Sequence, residues 1–236
     1  METRTYVSFD NMKNFKPLVL EGQSSASLKY DSWIEMDLQC SIDTREHNFQ
    51  DYWIVNFQGT YHRKHSSRKH TFISFNGGKS WKIIGTQIEN LIILGHGGLL
   101  FGSEKGSDKI FFSYNEGNTW HSKFLKYKSV IVMKKLEYPN NLAIATINYN
   151  TRSNIYYFYL FKFSSVLSNR SLMTDTMCQR KDFQTWYVPR YFRNCFQGQQ
   201  VFYMKKKSNV LCVDNRTFIR AEINQCPCFI EDFQWY

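Results

Sequence analysis

Residues Ser74 to Trp81 read SFNGGKSW, and Ser113 to Trp120 read SYNEGNTW. Both share one pattern: Ser, an aromatic, Asn, any residue, Gly, any residue, a hydroxyl residue, Trp. The copies start at positions 74 and 113, 39 residues apart. Self-similarity at about that period marks a chain built from repeated four-stranded sheets. A degraded copy, SFDNMKNF, runs from Ser8 to Phe15, with Asp10 in the Asn place and Phe15 in the Trp place. From position 8 to position 74 is 66 residues, so an insertion separates the first two copies.

The octet has a structural mechanism of its own. An Asx side chain accepts hydrogen bonds from backbone N–H groups just ahead of it. Asp10, Asn76 and Asn115 are placed to do this. Gly78 and Gly117 supply a backbone conformation that other residues resist. The hydroxyls of Ser80 and Thr119 are in reach of a local bond, and Trp81 and Trp120 offer apolar anchors beneath the turn. Ser8, Ser74 and Ser113 open the three copies. Such a unit is a self-satisfied hairpin corner, a structural element rather than a catalytic one.

The intervening residues fit strands. LIIL (Leu91 to Leu94), LLFGS (Leu99 to Ser103), KIFFSY (Lys109 to Tyr114) and TWHSKF (Thr119 to Phe124) are short apolar runs between Gly-bearing turns. SVIVMKKL, NLAIATINY and NIYYFYLFKF continue the series to about Phe163. Aromatics make up 17% of the chain, which suits a pleated surface. No amphipathic helical period of useful length interrupts them. The expected architecture is all-β: about three blades of a larger propeller over residues 1–165, a polar linker over 166–177, and a small disulfide-rich module over 178–236.

The formal charge of +10 favours acidic partners, but the basic residues are scattered apart from HRKHSSRKH (His62 to His70), Lys134-Lys135 and Lys205 to Lys207. None of these forms a nucleic-acid motif, so no nucleic-acid partner is expected. No apolar run approaches the ~18 residues of a membrane span. The opening METRTYVSFD has neither the basic nor the apolar region of a signal peptide.

The cysteines point to another compartment. Five of the six, Cys178, Cys195, Cys212, Cys226 and Cys228, crowd into the last quarter, as in a disulfide-stapled module of an oxidising environment. Zinc fits poorly, because that segment has no CxxC pair and no histidine. Five is odd, so one thiol is free or has a partner beyond Tyr236. Asn169-Arg-Ser171 and Asn215-Arg-Thr217 are glycosylation acceptors for a chain in the secretory pathway.

The octet resembles the Asp-box of bacterial-neuraminidase-repeat propellers. The tail is more specific: Cys178, Asp182-Phe183, Trp186, Cys195-Phe-Gln-Gly198, the basic Lys205 to Lys207, Cys212, then Cys226-Pro-Cys228 with Glu231-Asp232-Phe233. In that order, directly after Asp-box sheets, these resemble the cysteine-rich module that comes after the propeller in the sortilin family of sorting receptors. The resemblance implies a larger propeller ring, a completed cysteine module, a membrane-spanning helix and a short cytoplasmic tail that meets cytosolic adaptors. Such receptors bind peptide and protein ligands in the lumen and carry them between Golgi, endosome and cell surface. By the family pattern Cys178 pairs with Cys212, Cys195 with Cys226, and Cys228 with a partner beyond the chain end. Trp235 stands where the family has a further cysteine, and Cys40 lacks the neighbour that family members tend to have. The chain is expected to be the C-terminal blades and first cysteine module of a receptor. An arc of three blades leaves open edge strands.

Two other function classes share some of these features. A sialidase has the Asp-box but needs an arginine triad and a Tyr–Glu nucleophile pair, which these residues do not match; no catalytic residue, cofactor or metal site is expected. A soluble secreted binding propeller, for protein or glycan, would lack the hydrophobic span of ~20 residues that a receptor carries beyond Tyr236. Within HRKHSSRKH, positive charge disfavours a metal and lowers the histidine pKa values. The stretch reads as a flexible solvated insertion, with charge gain in acidic endosomes as the sharper alternative.

Overall fold

The computed structural model describes residues 3–22, 32–38, 48–85, 88–104, 107–125, 130–136, 143–163, 177–190, 193–214, 216 and 218–233. Among them the named elements are strands and short 3-10 turns. Contacts divide it into two compact units. One holds residues 1–84, 185–205 and 219–236; the other holds 85–184 and 206–218. Residues 178–236 therefore contribute to both.

In the first unit, strands β1 (Tyr6–Val7) and β2 (Lys16–Pro17) pair around the first octet. A four-stranded antiparallel sheet comes next, in the order β3 (Ser32–Met36), β4 (Val55–Arg63), β5 (Ser66–Ser74), β6 (Lys82–Ile84). Side chains alternate across a strand, and the register Ile34↔Tyr61, Met36↔Gly59 and Phe57↔Phe72 puts one apolar set on one face. That face joins Leu18, Val55 and Trp81 in a core where Ile34 and Phe72 are fully enclosed. The opposite face buries Thr71 and Ile73.

The basic stretch His62 to His70 is not a loose insertion. It is the far end of the β4–β5 hairpin, closed by the two residues Lys64 and His65, with Arg63 opposite Ser66. The ladder runs unbroken from Val55↔Ser74, and β3 covers β4 as far as Ser32↔Arg63. Backbone pairing on two sides holds this segment extended although its own side chains lack apolar alternation.

In the second unit, β7 (Ile88–Leu94), β8 (Leu99–Glu104), β9 (Lys109–Ser113) and β10 (His121–Phe124) form an antiparallel sheet in sequence order. These are the four strands expected from the apolar runs. Beyond them lies a three-stranded sheet: β11 (Val130–Lys135), β12 (Ala143–Asn150) and β13 (Ile155–Lys162). Leu94, Leu99, Phe101, Ile110, Ile144 and Phe163 belong to the core, with the Phe101 ring 5.2 and 5.5 Å from those of Phe161 and Phe163.

The cysteine segment adds the sheet β14 (Phe183–Tyr187), β15 (Gln199–Lys206) and β16 (Glu222–Gln225). The whole is all-β, sheets of propeller type succeeded by a disulfide-bonded segment. No helix is long and apolar enough to cross a membrane among the described residues.

Candidate functional site

The three octets occupy equivalent places, each at the corner between a strand and its antiparallel successor: β1 to β2, β5 to β6, β9 to β10. Their wiring follows one plan. Ser74 Oγ donates to Asn76 Oδ1 at 2.8 Å and accepts the N–H of Asn76 and of Gly78, at 3.3 and 2.9 Å. Asn76 Oδ1 accepts the Ser80 N–H at 3.0 Å, and Asn76 Nδ2 donates to Ser80 Oγ at 2.8 Å. Ser113, Asn115, Gly117 and Thr119 repeat the five bonds, at 3.0, 3.4, 3.0, 2.8 and 3.2 Å. Ser8 and Asp10 repeat four of them with Met12 and Asn14, and the fifth runs the other way: Asn14 Nδ2 donates to Asp10 Oδ2 at 2.7 Å.

The opening serine is the hub of each corner, a role that the residue pattern did not reveal. One hydroxyl satisfies two turn N–H groups while its own proton fixes the Asx side chain. The turn requires two successive residues at positive φ. Gly77 and Gly78 stand at +68° and +89°, and Glu116 and Gly117 at +55° and +76°. In the first copy Asn11 and Met12 hold +56° and +66°, a conformation that costs a side-chain-bearing residue roughly 1–2 kcal/mol.

The anchors differ. Trp81 is buried in the core, and its backbone pairs with Val19 and Glu21 (Trp81 N–H to Val19 O, and Glu21 N–H to Trp81 O, both 2.8 Å). Trp120 is half-buried, and Phe15 is 58% exposed and anchors nothing. Partial burial pushes the Asp10 carboxyl up, but hydrogen bonds from Asn14 and Ser8, with Lys13 nearby, outweigh it and hold the group below the usual range.

The cysteine segment is pinned at two bridges. Cys178 joins Cys212, with Cα atoms 4.9 Å apart, beside the Cys178 N–H bond to Val213 O. Cys195 joins Cys226, with Cα atoms 6.1 Å apart. Chain separations of 34 and 31 residues put each bridge at about 3–4 kcal/mol by the chain-entropy argument. Cys228 is exposed and unpaired, beside Gly198. The Cys195-Phe-Gln-Gly198 stretch is a tight hairpin turn, with Gln197 and Gly198 both at positive φ and Phe196 and Gln199 exchanging N–H···O bonds of 2.9 and 3.0 Å.

The two Asp-Phe pairs share one local device. Asp182 accepts the N–H of Gln179 at 2.8 Å, and Asp232 accepts the N–H of Phe229 at 3.0 Å, each closing a short 3-10 turn. Both carboxylates hold backbone. Asn169, Asn215, Trp235 and Cys40 lie outside the described residues.

Each unit also packs part of this segment against its sheets. In the first, Gly77 lies against Trp186 and Pro189; a Cβ there would come within 3.0–3.2 Å of them. Trp53, fully buried, meets the Trp186 ring at 5.8 Å, and Lys205 Nζ donates to Phe75 O at 2.6 Å. In the second, Val213 enters the core and Lys206 Nζ donates to Val210 O at 2.6 Å. Burial pushes the Lys206 ammonium pKa down, opposed by Glu116, Asp214 and Asp182. The basic Lys205 to Lys207 run, which reads as a surface patch, is thus partly internal, and Lys207 Nζ donates to Lys181 O at 2.8 Å. Among the described residues no group of His, Cys, Asp and Glu could hold a metal.

The order of these features is matched elsewhere. A family model described as "Sortilin, neurotensin receptor 3, C-terminal" covers residues 142–235. The chain is similar to vacuolar protein sorting/targeting protein 10 of Schizosaccharomyces pombe, 23% identical over 69% of this chain and 12% of the relative. It is also similar to the mouse VPS10 domain-containing receptor SorCS3, 24% identical over 69% of this chain and 13% of the relative. The rabbit sortilin-related receptor is 22% identical over 72% of the chain and 8% of the relative.

Residues 142–235 belong to the sortilin C-terminal family.

It spans about an eighth or less of the length of these relatives. The family match at residues 142–235 takes in both bridges, Cys178–Cys212 and Cys195–Cys226.

Proposed function

We propose that the chain is part of a sortilin-like, non-enzymatic sorting receptor that binds peptide or protein ligands on the lumenal side and carries them between Golgi, endosomes and cell surface. In this reading residues 1–165 supply propeller blades, 166–177 connect, and 178–236 form the family's cysteine-rich module. Membrane anchorage and contact with cytosolic adaptors belong to the receptor as a whole. Cys228 takes a partner from further cysteines of that module, and Asn169 and Asn215 carry glycans. The observation that supports this most directly is the succession of Asp-box-cornered sheets and a segment with the bridges Cys178–Cys212 and Cys195–Cys226. Bridges of this kind need an oxidising compartment.

The test is to tag the protein at its own locus, then to measure its glycosidase-sensitive mass shift and its co-localisation with Golgi and endosomal markers. A mass shift that N169Q with N215Q removes, together with vesicular staining, is the expected result. A diffuse, unglycosylated product with reduced cysteines would sink the receptor reading.

A further inference from the structure

The β4–β5 hairpin outruns its neighbour on one side only. On the β4 side, β3 pairs up to Arg63. On the β5 side, β6 pairs only with Thr71, Phe72 and Ile73. The stretch Ser66 to His70 therefore has an open edge among the described residues, and Ser66 to Lys69 are exposed. In an antiparallel ladder alternate residues turn N–H and C=O to each side, so this edge offers backbone donors and acceptors over five residues, about 17 Å of strand.

That edge carries Arg68, Lys69 and His70, and the two faces differ. On one face, shared with Glu35, carboxylates stand close by: His62 Nε2 lies 2.8 Å from Glu35 Oε2, and Lys69 Nζ lies 3.9 Å from Asp37 Oδ2. On the face shared with Tyr61, the register places Arg63, Arg68 and His70 together. Among the described residues no carboxylate pairs with Arg63 or Arg68, and the Arg63 guanidinium lies 5.1 Å over the Tyr61 ring. Among the described residues the two arginines leave this face with a positive charge. An edge so charged repels a second copy of itself and favours a strand of opposite sign, whose acidic side chains would stand beside Arg68 and His70 as cross-strand neighbours.

We propose that the Ser66–His70 edge of β5 is a docking site for an extended acidic peptide segment, which adds to the sheet as a strand. The proposal rests on the receptor reading for the identity of its occupant as part of a protein ligand. Main-chain bonds to the edge would give affinity and the Arg63–Arg68–His70 face would select acidic residues at alternate positions. A polyanion held by charge alone would need no strand.

The test uses the purified chain and a capped seven-residue peptide of alternating Glu and Thr, measured by fluorescence anisotropy. The two comparison peptides are a Lys–Thr version and a Glu–Thr version N-methylated at alternate amides. The Glu–Thr peptide should bind, and both the Lys–Thr and the N-methylated peptides should bind at least tenfold more weakly. Arg68→Glu should weaken the Glu–Thr peptide at least tenfold and strengthen the Lys–Thr one; Arg68→Thr, which keeps strand propensity, should weaken the first without the second effect. No binding of the Glu–Thr peptide overturns the proposal. So does equal binding of the N-methylated peptide, since that means a charge patch without strand addition. These readouts do not depend on trafficking, so a receptor that fails the localisation test above could still pass this one, and the reverse.

Discussion

Replacing the hub serine of each corner by alanine separates the energetic roles of three turns with one wiring. Ser74 and Ser113 are both fully buried, and both accept a turn N–H at about 3 Å. What differs is the group left behind. Gly78 is buried, so Ser74→Ala strands its N–H without water, and an unsatisfied buried donor costs roughly 1–3 kcal/mol. Gly117 is half-buried, so water replaces much of the lost bond after Ser113→Ala, and the cost falls to about 0.5–1 kcal/mol. Met12, the equivalent donor in the first copy, is 76% exposed, and Ser8→Ala should lie within about 0.5 kcal/mol of the parent. The expected order is Ser74→Ala, then Ser113→Ala, then Ser8→Ala. In a chain of this size about 2 kcal/mol corresponds to roughly 4–8 °C in melting temperature. Urea midpoints at constant slope give the order in stability. Native-state hydrogen exchange at the Gly78 and Gly117 amides reports each corner directly. Equal costs at the three sites, or a larger cost at Ser8 than at Ser74, would refute the view that burial of the stranded donor sets the penalty.

The first corner carries two further expectations. Met12→Gly should stabilise it, because an exposed side chain is held at a φ of +66° that glycine adopts freely; a gain of roughly 0.5–1 kcal/mol in urea titration is expected, and a loss would mean the Met12 side chain packs. The same corner should loosen in acid: the Asp10 carboxyl has its folded pKa below the ordinary aspartate value of 3.8, so its contribution is complete above that value and is lost as pH falls through the folded pKa. Asn14 amide exchange should track this, whereas the Ser80 and Thr119 amides, bonded to neutral Asn side chains, should not; Asp10→Asn combined with Asn14→Ser, which copies the second octet, should abolish the dependence.

Some of this architecture is written locally and some is not. The corners were legible because a turn of eight residues satisfies its own polar groups, so its residue types are fixed by bonds within the octet. The strands of the second unit were legible for a similar reason: LIIL, LLFGS and KIFFSY are apolar runs between turn residues. The hairpin from His62 to His70 was not, because what keeps it extended is the β3 ladder and a register set as far away as Val55↔Ser74, while its own residues are polar and charged. His70 shows the same limit. Like charge from Arg68 and Arg63 lowers its pKa, as the sequence suggests, but burial contributes more, and burial is a property of the folded sheet.

The cysteine segment carries this furthest. Its lysines at 205 and 206 belong to a charged run, yet each ends on a backbone oxygen, Phe75 O and Val210 O respectively. Burying an ammonium is costly unless it is hydrogen-bonded, and here each one fills a gap in backbone pairing. Gly77 offers the reciprocal case. Its positive φ alone would explain a glycine, as in any such corner, but Glu116 holds the same position in the next octet at +55°. The difference is that Trp186 and Pro189 lie over Gly77, where a Cβ would be tight against both rings. The extra glycine that makes SFNGGKSW differ from SYNEGNTW is therefore explained by a tryptophan 109 positions later in the chain (77 to 186), and no local reading of the octet could have supplied that reason.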